Sequence, residues 1–168
     1  MAKYPPLAVA NWFIANHGQP GLEHMKLQKL VYCAHGWWLV SKPDSFLTER
    51  PQVWKYGPVF KSLYHVLKPF GRTPISNTQA AGPFEEAPIV SSSDSEIVPL
   101  LQWIWKRYGH LSSFALSEMT HEKNTAWYRR ADEFGFEVPH GLEIPDDLVK
   151  SEFQRIYSAE TSGNVDAA

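Results

Sequence analysis

One cysteine, Cys33, leaves no internal disulfide to form, so the chain fits a reducing compartment. Long apolar runs are missing too. No stretch approaches the ~20 apolar residues that a membrane-spanning helix needs, and Met1 to Pro6 contain no apolar segment of signal-peptide length. The expected location is the cytoplasm. A surplus of cations is also absent: 16 Lys and Arg stand against 18 Asp and Glu, a formal net charge of -2. A dedicated nucleic-acid binder carries basic residues in excess to neutralise phosphates. The sequence has no H-E-x-x-H spacing, no Cys/His cluster of zinc-ligand spacing, no G-x-S-x-G elbow and no phosphate-cradling glycine loop. His121 and Glu122 are adjacent and point in different directions on a helix, and Cys33 sits beside Tyr32 in a core-type helix, where an inert buried thiol is expected. These absences argue against an enzyme and against a metal or cofactor.

What is present is apolar and aromatic. At 168 residues with 43% hydrophobic content the chain is one domain with a substantial core. Seven Trp and seven Tyr supply either a dense core or a surface that engages a partner.

Periodicity predicts a mainly helical, compact single domain over residues 1–157, with a small extended element before the Tyr56-Gly57-Pro58-Val59 step and a disordered tail over residues 158–168. A first helix covers Leu7 to Asn16. The second, about Glu23 to Val40, carries Leu27, Leu30, Val31, Ala34 and Trp38 as one apolar stripe, with Lys26, Lys29 and Cys33 on other faces. Pro51 to Trp54 reads as extended. Pro58 then suits the first position of a third helix running to Lys68. Arg72 to Ser95, rich in Pro, Ser, Ala and Gly, is a long internal loop, of a length that is unusual without a role, and Glu85-Glu86 within it reads as a solvated charge pair. A fourth helix begins between Ser93 and Pro99, Ser93 with Glu96 matching a capping box. Ser112 caps a fifth, Asn124 or Thr125 caps a short sixth that holds Trp127, and the last covers Asp146 to Tyr157.

Two constellations stand out. The first is Trp54-Lys55-Tyr56-Gly57-Pro58-Val59 with Tyr64. It is either a hinge packing Trp54 and Tyr56 on the core, or an aromatic ledge beside a helix N-terminus whose free amides favour an anionic group. The second is Leu116 to His121 followed by Thr125-Ala126-Trp127. It is either a helix end satisfied by Thr120 and His121, or a His–Trp anchor for a partner.

Lys26-Leu27-Gln28-Lys29-Leu30-Val31-Tyr32 with Ala34-His35-Gly36-Trp37 resembles the K-L-Q-K-L-x-Y-x-A-x-G-W helix of the Panacea domain. Trp54 to Val59 resembles that family's W-x-Y-G-P-V step, and Leu116-Ser117 through Thr120-His121 to Trp127 its L-S-x-x-T-H…W signature. The resemblance implies an antitoxin of a bacterial toxin–antitoxin pair. It also implies a cognate, SocB-like protein toxin as partner, and a role as proteolytic adaptor that presents the toxin to ClpX in the ClpXP protease. Candidate partner-binding residues are Trp54, Tyr56, Gly57, Pro58, Tyr64, His121 and Trp127. The terminal Val165, Asp166, Ala167 and Ala168 resemble the small apolar tags that ClpX-type unfoldases grip, although on the residues alone they read first as a frayed end. Two alternatives stay open: neutralisation by stable binding without proteolysis, and a DNA-binding autoregulator of the operon.

Overall fold

The computed structural model describes residues 3–166. Its organising element is α2 (His24–Ser41), around which α1 (Pro6–His17), α4 (Ile97–Tyr108), α5 (Ser113–His121) and α7 (Asp146–Asp166) are arranged. A stripe facing one core is too modest a description of α2. Every residue from Leu27 to Leu39 is buried, Gln28, Lys29 and His35 included. Within that stretch only Lys29 carries a formal charge, so the helix has no polar face to offer water and is covered on all sides. Where α7 crosses it, Gly36 lies directly under the ring of Phe153: a Cβ there would sit 2.1 Å from the ring carbons. Phe153 in turn packs against Tyr32 and, edge-on, against Trp37, with ring centroids 5.7 and 5.6 Å away.

The extended element does not stop before the Gly57-Pro58 step but runs through it. β1 (Gln52–Trp54) pairs antiparallel with β2 (Gly57–Val59), setting Val53 opposite Pro58 and Trp54 opposite Gly57. Pro58 is therefore a strand residue, and α3 (Lys61–Leu67) starts only after it. Gly57, at φ +114, supplies the left-handed turn that lets so short a hairpin close. The outer edge of β1 is covered as well, by the Val53 N–H to the Leu142 carbonyl at 2.9 Å and the Ile144 N–H to the Pro51 carbonyl at 2.8 Å.

Beyond α3, a single 3-10 turn (Lys68–Phe70) leads into the long loop, which is tied down at several points. Leu22 and Ile75 exchange backbone hydrogen bonds, and the Tyr4 hydroxyl donates to Asp94 at 2.7 Å. Asp94 also accepts from the Ile97 N–H at 2.9 Å and so starts α4. The Ser93–Glu96 capping box does not form: Ser93 meets Ser91, and Glu96 pairs with Lys42. The Ser112 and Thr125 caps do, on α5 and on α6 (Ala126–Glu133).

The tail expected to be disordered from residue 158 is instead helical as far as Asp166. Glu160 pairs with both terminal nitrogens of Arg107 on α4, and the Arg107 guanidinium lies 4.9 Å from the Trp37 ring and 5.4 Å from that of Trp103. That pairing ties α7 to α4 beyond Tyr157. Of the candidate protease tether, Val165 and Asp166 lie in this last turn, while Ala167 and Ala168 lie outside the described residues.

Candidate functional site

The polar residues of α2 explain why the hairpin sits where it does. Gln28 takes both backbone groups of Phe60, accepting from its N–H at 2.9 Å and donating to its carbonyl at 3.2 Å. Lys29, 1% exposed, donates to the Pro58 carbonyl at 2.8 Å. From α5, Ser117 donates to the Tyr56 carbonyl at 2.6 Å. A side chain at Gly57 would press on Lys29 Nζ and Thr120 Oγ1, each 3.2 Å from its Cβ. The two constellations that stand apart in the sequence are thus one unit, held to α2 through Gln28 and Lys29 and to α5 through Ser117.

Trp127 completes it. Its indole N–H donates to the Trp54 carbonyl at 2.7 Å, and its ring meets that of His121 edge-on at 5.4 Å. His121 Nδ1 faces the Ser117 carbonyl. Trp54 packs against Tyr64, ring centroids 4.6 Å apart and tilted by 57°, and remains half-buried. Tyr56 is 57% exposed, with Lys55 over its ring. Gly57 and Pro58, by contrast, are buried: they position the face and offer no surface of their own. The anion-binding reading falls with them, since the chain at Gly57-Pro58 is a strand and no helix begins there.

Trp54 and Trp127 form two walls of an open cleft of about 550 Å³. Val53 and Ala131 lie at its base. The third wall, Phe136, Val138 and Pro139, carries no signal that sequence reading found. Lys55 and His140 stand at the rim. Phe136 is unusual in that it holds φ at +63 while 48% exposed, braced edge-on against Tyr128 at 5.1 Å. A bulky residue in the left-handed region is strained, and here it belongs to the turn that ends α6, its N–H reaching the Ala131 carbonyl at 2.9 Å. The one available hint was the pair of phenylalanines flanking Gly135, itself at φ +60. Such a cleft offers apolar contact with one cationic group, Lys55, at its rim, and no nucleophile–base pair lines it. Among the described residues no group of three or more His, Cys, Asp or Glu side chains could hold a metal ion, and no helix is long and apolar enough to cross a membrane.

Behind the site lies a buried polar seam. Glu152 on α7 accepts from the Tyr32 hydroxyl at 3.0 Å and from the Ala126 N–H at 2.8 Å, so it also caps the helix that carries Trp127. Burial pushes its carboxyl up from 4.5 to about 7, against the pull of those two donors and Arg155. Burial pushes Lys29 down from 10.5 to about 7. The signs follow from linkage. Between 4.5 and about 7 the native chain keeps a proton on Glu152 that the unfolded chain has released, so stability from this group falls as pH rises. Between about 7 and 10.5 the unfolded chain holds the extra proton on Lys29, so stability from that group rises with pH. Glu152→Gln keeps an acceptor for Tyr32 and Ala126 without the charge. Its melting temperature should exceed wild type near pH 8 and lose that advantage near pH 5. Comparing variant with wild type cancels the acid-limb titration of His24 and His35, which burial holds at about 4 and about 3. A difference in melting temperature that does not change with pH would show that Glu152 is not held this way.

The family model described as "Antitoxin SocA-like, Panacea domain" matches residues 27–128, a span that holds the hairpin, its α2 seat and Trp127. Antitoxin SocA of Caulobacter vibrioides is 26% identical over 136 residues, covering 79% of this chain and 72% of that protein. No solved structure matches the chain.

Proposed function

The chain belongs to the Panacea-domain family of SocA-like antitoxins, and from that premise we propose that it binds a cognate protein toxin through the Trp54–Trp127 cleft and presents it to the ClpXP protease in the cytoplasm. The observation that carries this reading is the cleft itself, where the hairpin motif and the Trp127 motif meet to leave an open apolar surface with Lys55 and His140 at its edge. The role is one of binding and delivery rather than catalysis. A half-exposed aromatic cluster surrounded by polar rim groups has the make-up of an interface hot spot. The terminal Val165 to Ala168 are the candidate tether for the unfoldase.

Reconstituted degradation tests it. The product of the neighbouring gene is incubated with ClpXP, with and without this protein. Degradation that depends on the protein, while the protein itself survives, is the expected outcome. A toxin that is bound tightly yet stays intact would replace delivery with stable capping; absence of binding would remove the toxin reading altogether.

A further inference from the structure

A second apolar feature stands open to solvent, and it shares no residue with the cleft. Asn11, wholly buried at mid-α1, donates through its amide to the carbonyls of Gln79 and Pro88 at 2.8 and 2.7 Å and accepts from the Gln79 N–H at 2.8 Å. One buried side chain thereby clamps both stems of the segment between those residues. Ile75 and Val90, just outside the clamp, are buried in the core. What the clamp holds out is Gly82-Pro83-Phe84-Glu85-Glu86. The Glu85 N–H returns to the Gly82 carbonyl at 3.3 Å, closing a tight turn in which Pro83 fixes one backbone angle. Phe84, at the apex, is 100% exposed. Glu85 and Glu86 are exposed, and among the described residues neither pairs with a cation.

This is a poor arrangement for folding and a good one for binding. A phenylalanine wholly in water contributes nothing to the core, yet a buried asparagine is used to hold its loop in place. Loops of this length inside a compact domain are ordered when they have work to do. A preformed turn also gives up little freedom on meeting a partner. The unpaired carboxylates on either side of the next bond specify the charge of what they meet.

We infer that Phe84, with Glu85 and Glu86, is a second docking element that inserts into an apolar pocket rimmed by lysine or arginine on the toxin. The inference rests on the toxin-binding reading above and names the chemistry of the partner's surface.

The test titrates the full-length chain against the neighbouring gene's product, for wild type, Phe84→Ala and the double reversal Glu85→Lys with Glu86→Lys. Phe84→Ala should weaken binding at least tenfold. The charge reversal should weaken it further and flatten its dependence on salt. Both variants should melt with wild type, since Phe84 makes no native contact to lose. If wild type binds and both variants bind equally well, the docking inference fails while the toxin reading survives. If wild type does not bind, both fail. Variants that bind toxin normally but turn a sedimenting dimer into a monomer, or lose only ClpX, would assign the tip to a second copy or to the unfoldase, and the inference would be overturned.

Discussion

Gly36→Ala is expected to lower the melting temperature by about 4–8 °C, although alanine is the better helix former by about 1 kcal/mol. The sign reverses because of what lies over Gly36. An added Cβ would stand 2.1 Å from two ring carbons of Phe153. That ring cannot swing aside, since Tyr32 and Trp37 hold it on two sides and it is almost wholly buried. Overpacking of this kind costs about 3 kcal/mol where nothing can yield, which leaves about 2 kcal/mol of net loss. Combining Gly36→Ala with Phe153→Leu should recover part of it, because the two sites share one volume and their effects will not add. If the single variant instead melts higher than wild type, α7 does not cross α2 at Gly36 as described, and the cap that Glu152 places on α6 goes with it.

At the cleft, two variants together separate binding from folding. Trp127→Ala should cost about 100-fold in toxin affinity, the scale of a hot-spot tryptophan. It should also lower the melting temperature, because the indole N–H holds the Trp54 carbonyl at 2.7 Å. Phe136→Gly behaves differently. Glycine adopts the +63 φ of that position without strain, a relief of about 1 kcal/mol. The lost edge contact with Tyr128 and the added freedom of the unfolded chain offset that by a similar amount. Stability should stay near wild type while affinity for the neighbouring gene's product falls at least tenfold. Unchanged affinity in both variants would exclude the cleft as the toxin face; loss in Trp127→Ala alone would mean that its effect passes through the fold.

The helices were legible because their signals are local. Ser112 and Thr125 cap α5 and α6 as their positions suggest, and the apolar repeat of α2 is plain. What surrounds a helix is not local. By spacing alone Lys29 falls off the apolar stripe, and the Pro58 carbonyl that accepts from it is a contact spacing cannot show. Pro58 was misplaced for a related reason: proline after glycine favours a helix start and a hairpin alike, and three-residue strands are too short for alternation to decide between them. Asn11 and Tyr4 order the long loop through partners dozens of residues away. Of the site, Trp54, Tyr64, His121 and Trp127 do come together. Phe136 and Val138 were invisible, since an irregular segment has no periodicity to betray which side chains it turns toward a cleft.

The complete enclosure of α2 has a consequence for how the protein is born. Its covering helix begins at Asp146, long after α2 ends at Ser41. At ~5–20 residues added per second, the ribosome releases that greasy helix on the order of ten seconds before its lid exists. Until then the face of α2 that α7 covers, Tyr32 and Gly36 among it, stays without its cover, so the core cannot close before nearly the whole chain has been made.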